Sequence, residues 1–326
     1  MINAAIVGLG RWGQNLVNSV QGKSERLRFV RGVIRNPDRV RDFAAQHGLK
    51  LSRDFGAALT DPEIQAVVLA TPNSLHPQQV IAAAAAGKAV FCEKPLALTR
   101  ADAERAVAAC RRAGVPLGIG QDKRYWPSMR ELKRSVESGE LGEILHVEGH
   151  FSNDNASKGL HHGWRESPDE APGASITATG IHVLDAFVNM LGPVRRVQAQ
   201  HISHRPPPAT LDTLAILCEF ENRVSGVLCG VRATPTYWRV HVFGTTGSAE
   251  ALGQTGLVLR KSGAQPQQLT FEPVNALRCE LEAFANAVTG RAAYPIPDTQ
   301  MIATIAALEA ICKSMQSQVA VLVGNS

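Results

Sequence analysis

The sequence predicts an α/β protein in two parts: a doubly wound parallel sheet, then an α+β domain built on a large, mostly antiparallel, open-faced sheet. Three observations carry this reading. Short apolar runs alternate with amphipathic segments up to about residue 120, a glycine-rich turn follows the first run, and beyond residue 122 strands separated by Gly, Asn and Thr turns take over.

The first part reads strand by strand. NAAIVGL (3–9) is a strand and 13–22 a helix; RFVRGVI (28–34) is a strand and DRVRDFAAQHG (38–48) a helix ending at Gly48. QAVVLAT (65–71), KAVFCEK (88–94) and VPLGIGQ (115–121) are further strands. HPQQVIAAAAAG (76–87) and TRADAERAVAACRRAG (99–114) are the helices between them, the latter with Thr99 as its N-cap. Short connections between strand and helix imply right-handed crossovers and a parallel sheet. In the second part 128–140 and 179–191 read as helices. The strands are 143–151, 195–202, 212–222, 225–233, 239–245, 247–253 and 256–262. Helices return at 277–289 and 298–318, where the chain can pack back on the first domain. The domain limits are therefore 1–121 and 122–326.

Composition narrows the function classes. The 326 residues are 44% hydrophobic and 19% charged, ordinary for a globular protein with a large core. Lys and Arg number 34 and Asp and Glu 29, so the net charge is 34 − 29 = +5. The densest basic stretch, RGVIRNPDRVR (31–41), is broken by acidic and apolar residues and does not form a nucleic-acid surface. The six cysteines show no CxxC spacing and sit in apolar runs, as reduced core residues do, and no Cys/His group has metal-ligand spacing. No basic leader precedes the first strand and no apolar run is long enough for a membrane span, so the expected location is the cytoplasm.

The chemistry begins at VGLGRWG (7–13). Gly8, Gly10 and Gly13 form GxGxxG directly after a strand and at the opening of a helix, with Arg11 and Trp12 between them. That is the context a Rossmann dinucleotide site requires: a tight turn, a close backbone approach and a helix N-terminus for the pyrophosphate. The residue reading the adenosine ribose falls about 20 positions further on, at the end of the second strand. Arg35 stands there in place of a carboxylate, with Arg39 nearby, and a guanidinium suits a 2′-phosphate, so NADP is expected over NAD. ATPNSLHP (70–77) ends another strand at the same sheet edge. Thr71, Pro72, Asn73 and His76 are cofactor candidates, although Asn73 or His76 equally suits the N-cap of the following helix.

VFCEKPLAL (90–98) then places Glu93 and Lys94 directly after core residues, with Pro95 behind them. Lys and Glu are rarely buried unless paired, so the triplet is either a structural ion pair at a turn or a working site. GxGxxG, ATPNSLH and EKP in this order, followed by a mixed α/β second half, resemble the glucose–fructose oxidoreductase and inositol dehydrogenase family (Gfo/Idh/MocA), over essentially the whole chain. The resemblance implies that Lys94 lies beside the nicotinamide and the substrate hydroxyl, that Glu93 holds or tunes it, and that the Lys94–Pro95 peptide is cis. It also implies a histidine in the second domain, matched here by His182 in PGASITATGIHVLDAF (172–187), four residues after an aspartate. The aspartate position is Ala178, a departure. Thr177, Thr179 and Asp185 are the polar groups near enough in sequence to orient the imidazole instead.

Softer candidates border the substrate. Lys123, Arg124 and Tyr125 lie in QDKRYWP (121–127), where the first domain hands over to the second, and either border the substrate or pin the hinge. Asn153, His161, His162, Trp164 and Arg165 lie in the long polar stretch 152–173, and Thr179 follows it. The expected activity is hydride transfer between NADP and a secondary alcohol or ketone of a sugar or cyclic polyol, with Lys94 and His182 as the catalytic pair. A dinucleotide-dependent sensor, or an enzyme that eliminates or hydrolyses a sugar bond through transient redox, are the alternatives. The resemblance also implies a homodimer or homotetramer; charge pattern, apolar-run length and ligand spacing give no nucleic-acid, membrane or metal partner.

Overall fold

A run of parallel strands, each followed by a helix, opens the chain in the computed structural model, which describes residues 1–155, 164, 167–204 and 212–324. The elements are β1 (Ile2–Val7), α1 (Arg11–Val20), β2 (Leu27–Val33), α2 (Arg41–His47), β3 (Lys50–Ser52), α3 (Phe55–Thr60), β4 (Ala66–Leu69), α4 (His76–Ala85), β5 (Ala89–Glu93), α5 (Arg100–Ala113) and β6 (Leu117–Gly120). The six strands are hydrogen-bonded in the order β3-β2-β1-β4-β5-β6, all parallel. Helices on both faces bury the strands, which is why β4 reads AVVL and β5 AVFCE with every residue inside. Strand order reverses between β1 and β4, and the carboxyl ends of β1, β2, β4, β5 and β6 share one edge.

The second stretch comprises α6 (Pro127–Glu137), β7 (Ile144–Ser152), α7 (Ile181–Leu191), β8 (Val194–Ser203), β9 (Asp212–Phe220), β10 (Ser225–Val231), β11 (Tyr237–Gly244), β12 (Gly247–Leu252), β13 (Gly256–Lys261) and β14 (Gln267–Thr270). After these come α8 (Ala276–Val288), α9 (Asp298–Ser317) and β15 (Val321–Leu322). Nine strands form one sheet in the order β14-β13-β12-β11-β7-β10-β9-β8-β15, antiparallel throughout except for the parallel β7–β10 pair. β9 shows how its faces differ. Leu214, Ile216, Cys218 and Phe220 are buried, whereas Ala215 and Leu217 between them are exposed. α7 covers the buried face so closely that a Cβ on Gly149 of β7 would lie 2.2 Å from Val183 and 2.7 Å from Phe187.

The chain divides into two compact units, 1–97 with 101–122 and 275–301, and 98–100 with 123–274 and 302–326. The stretch 275–301 belongs with the first unit because α8 carries Leu281, Phe284 and Ala285 into the same core as Ile6, Leu16, Val17 and Phe91. Phe284 meets Phe91 edge-on at 5.6 Å between ring centroids.

Several boundaries differ from the sequence reading. The helix expected over 38–48 begins as a 3-10 turn at Pro37–Val40, where proline sets the first turn, and is α-helical only from Arg41. The strand expected over 65–71 stops at Leu69, because Ala70 and Thr71 already turn beside Gly8. A π-type turn, Ile176–Gly180, leads into α7. β3, α3, β14 and β15 were not expected; each has six residues or fewer, too short to show a period.

Candidate functional site

In the first unit the three glycines serve three different physical ends. Gly8 has φ of +95°, and a Cβ there would lie 2.5 Å from the Ala70 carbonyl oxygen; its N–H donates to the Val33 carbonyl at 2.9 Å. Gly13 packs α1 onto the loop, since a Cβ would lie 2.2 Å from the Gly8 carbonyl oxygen. Gly10 has no heavy atom within 4 Å of where its Cβ would stand, so no packing inside the chain requires a glycine there. It is exposed and caps α1 without a side-chain hydrogen bond, so no capping side chain occupies the first-turn N–H groups. An open cradle at the N-terminus of a ten-residue helix, with no acidic residue in its first turn, fits a dinucleotide pyrophosphate. Arg11 is exposed and Trp12 partly buried.

Arg35 and Arg39 are exposed beyond the end of β2, and neither makes an ion pair among the described residues. At the end of β4, Thr71 donates its hydroxyl to Gln79 Oε1 at 2.6 Å, Pro72 is partly buried and Asn73 is buried at the head of a short 3-10 turn. His76 opens α4 with its ring inside. Nδ1 lies 2.7 Å from the Pro95 carbonyl and Nε2 3.1 Å from the Thr71 carbonyl, so the ring joins the turns that follow β4 and β5.

β5 ends at Glu93, Lys94 is half-buried, and the Lys94–Pro95 peptide is cis. Glu93 is 6% exposed. It pairs in register with Gly120 of β6, and a Cβ on Gly120 would lie 2.7 Å from its Oε1, so the glycine makes room for the carboxyl. Burial pushes the Glu93 carboxyl up to about 7; the Trp12 indole and the Lys94 ammonium oppose this, and the Asp122 carboxylate adds to it. Neither Glu93 Oε1 nor the Trp12 indole N–H completes a hydrogen bond of normal geometry, so the indole acts on the carboxyl by proximity.

In the second unit His182 stands in the first turn of α7, 8% exposed, its ring 6.1 Å from that of Phe151. The neighbours that could orient it are largely engaged elsewhere. Thr177 donates to the Pro172 carbonyl, and Thr179 to the Ser175 carbonyl at 2.9 Å. Both Asp185 oxygens accept from Arg124, at 2.7 Å from Nε and 2.7 Å from the terminal nitrogen, and Arg124 also donates to Asn189 Oδ1 at 2.9 Å. Arg124 is thus tied to α7 by a pair whose side chains are 7% and 4% exposed. Tyr125 is buried with Arg130 over its ring at 5.3 Å, and Lys123 lies 4.3 Å over Trp126. Asn153 is buried and accepts from the Asn155 N–H at 3.1 Å, and Trp164 is half-buried. His161, His162 and Arg165 lie outside the described residues.

Sequence reasoning named none of Gly120, Asp122, Asp212 or Arg232, all of which bear on these two sets of residues. Only the pairing of β5 with β6 and the order of the second sheet bring them in. Among the described residues no three His, Cys, Asp or Glu side chains gather as a metal site, and no helix is long and apolar enough to cross a membrane.

Comparison with known proteins agrees with this geometry. Residues 2–121 match the GFO_IDH_MocA oxidoreductase family, NAD-binding Rossmann fold, and residues 129–250 match the GFO/IDH/MocA C-terminal domain. Inositol 2-dehydrogenase 2 of Saccharopolyspora erythraea is 30% identical over 300 residues, covering 88% of this chain and 85% of its own. Among solved structures, an oxidoreductase of Desulfitobacterium hafniense described as NADPH-dependent superposes with a TM-score of 0.89 at 25% identity, over 99% of this chain and 97% of its own. A levoglucosan dehydrogenase in complex with NADH and levoglucosan gives 0.88 at 21% identity, over 99% and 100%, and so shares the fold.

Proposed function

We propose, from the premise that the chain belongs to the GFO/IDH/MocA oxidoreductase family and is an NAD(P)-dependent dehydrogenase or reductase of CH–OH groups, that it interconverts a secondary alcohol and a ketone on a sugar or cyclic polyol with NADP as the preferred cofactor. The observation that carries the reading is Lys94 at the carboxyl end of β5, in the same sheet and at the same edge as the open glycine cradle.

When bound, the nicotinamide supplies a carbon that accepts a hydride from the carbinol carbon or returns it to the carbonyl carbon. The α1 N-terminus holds the pyrophosphate and Arg35 the 2′-phosphate. In the oxidative direction His182 takes the hydroxyl proton on a ring nitrogen, and the Lys94 ammonium stabilises the negative charge developing on that oxygen. In the reductive direction Lys94 polarises the ketone oxygen and His182 returns the proton. Glu93, beside Lys94 and screened from solvent, sets the field in which the ammonium works. The inositol and levoglucosan dehydrogenases named above support the substrate class. We place the enzyme in the cytoplasm as a homodimer or homotetramer, with the open face of the nine-stranded sheet packing on a second copy; light scattering checks the mass.

The test is Lys94→Ala with His182→Gln beside it. Lys94→Ala should abolish turnover while NADPH fluorescence titrations stay close to wild type, and His182→Gln should lose about 10²–10⁴-fold in kcat. Retained turnover in Lys94→Ala overturns the mechanism. Ala178, where the family carries an acid, favours a sensor as the second reading; wild-type turnover of any sugar or polyol with NADP decides against it.

A further inference from the structure

The second unit holds two buried arginines in contrasting states. Arg124 directs three of its nitrogens into hydrogen bonds with Asp185 and Asn189. Arg232, just past the end of β10, has a side chain 6% exposed, yet its guanidinium completes no hydrogen bond among the described residues. Among the described residues its one ion-pair partner is Asp212, at 3.6 Å between Nε and Oδ1 and fully buried. A buried charge normally costs several kcal/mol unless it is paired and hydrogen-bonded, so a guanidinium this poorly satisfied by the described residues calls for a further acceptor.

Its surroundings are built. Asn153, Arg232, Asp212 and His201 come from β7, β10, β9 and β8, or the residue just beyond, and those four strands are consecutive in the sheet. Backbone bonds from Arg232 N–H to the Asp212 carbonyl at 3.0 Å and from Asn153 N–H to the Val231 carbonyl at 3.1 Å extend the ladder and hold the row in line. Strand alternation puts Arg232 on the face of Leu228, and Asp212 on that of Leu214. Both leucines lie under Gly180, in the π-type turn leading to His182. Asp212 is fixed independently of Arg232: Oδ2 accepts from the Ser175 N–H at 3.2 Å and lies 3.1 Å from His201 Nε2. It therefore ties the start of the segment that carries His182 to the row.

We infer that the Arg232–Asp212 pair is a substrate subsite that reads hydroxyl oxygens of a neutral polyhydroxylated ligand, with Asn153 as its neighbour in the row. Asp212 already balances the charge of Arg232, so a ligand carboxylate would bring in a second, unmatched negative charge. A hydroxyl oxygen accepts from the guanidinium without adding one. The inference rests on the proposed sugar or polyol reaction and names residues that discriminate among its substrates.

The test is calorimetric binding of myo-inositol, D-glucose and D-gluconate to the NADP-loaded full chain, with Arg232→Met and Arg232→Lys compared to wild type. Arg232→Lys keeps the charge beside Asp212, and so the fold, while removing the planar fork. The expected result is that a neutral polyol binds wild type, loses at least about tenfold in affinity in Arg232→Met and several-fold in Arg232→Lys, and that NADPH affinity is unchanged. If one of them is turned over, KM should rise with kcat held within about threefold. Unchanged polyol affinity in both variants, no neutral polyol bound by wild type, or an effect confined to gluconate overturns the subsite. A polyol bound through Arg232 but never oxidised counts against the proposed reaction and leaves the subsite standing. Turnover with an unchanged KM in both variants does the reverse.

Discussion

Glu93 and Gly120 are register partners across β5 and β6, and the missing Cβ of Gly120 is what gives the Glu93 carboxyl its place inside the sheet edge. The carboxyl lies beside the Lys94 ammonium and the Trp12 indole, with the Asp122 carboxylate and the Cys92 thiol as the other titratable groups facing it. Its elevated value of about 7, caused first by burial, has a definite consequence for stability. Between the ordinary value of 4.5 and about 7, the folded protein holds a proton that the unfolded chain has released. Stability therefore falls as pH rises through that window, and the cost is complete above it, with about 3 kcal/mol as an upper bound. Glu93→Gln, neutral at every pH, should match wild type in urea unfolding below pH 4.5 and exceed it at pH 8. A gap that does not change with pH would assign the titration to another group.

The Arg124–Asp185 pair yields a prediction of opposite character. Both side chains are nearly inaccessible and their contacts are 2.7 Å. Removing one partner strands a buried charge, so Arg124→Met should cost about 3–5 kcal/mol in urea unfolding. Arg124→Met combined with Asp185→Leu removes both charges and should recover most of that loss. If the single variant is as stable as wild type, the pair does not anchor α7 in solution.

Arg35 tests cofactor choice. It is exposed beyond β2 and makes no ion pair among the described residues, so replacing it removes little from the folded state. Arg35→Ala should leave the unfolding midpoint within error and weaken NADPH binding by about tenfold or more, worth about 1.4 kcal/mol, while NADH affinity changes little. Equal losses for both cofactors would remove Arg35 from 2′-phosphate recognition.

What was legible in the sequence follows the range over which each signal acts. The glycine loop, the strand–helix alternation and the EKP turn are local patterns, and the parallel sheet with its edge of strand ends emerged where they placed it. The pairing of Arg124 with Asp185 was not legible because the two lie 61 positions apart, and only the folded unit shows them joined. Asp212 and Arg232 sit at strand ends without any motif, and their meeting depends on β9 pairing with β10. Gly120 looked like one more strand glycine until the register set it opposite Glu93.

The glycine loop allows structural and ligand roles to be separated within three residues. Gly8 needs its glycine for the fold, with φ of +95° and the Ala70 carbonyl 2.5 Å from any Cβ. Gly8→Ala should therefore lower the unfolding midpoint and weaken cofactor binding only as a by-product of the displaced turn. Gly10→Ala meets nothing within 4 Å, and the φ of −77° at this position suits any residue. Its stability should equal wild type. The added methyl instead stands in the open cradle at the α1 N-terminus, where the backbone must come close to the pyrophosphate, so affinity for NADPH and NADH should fall together by about tenfold or more. The paired measurement is urea unfolding and nicotinamide fluorescence on both variants. Full cofactor affinity in Gly10→Ala would mean that the pyrophosphate does not approach through Gly10, and the cradle would have to be placed elsewhere along the sheet edge.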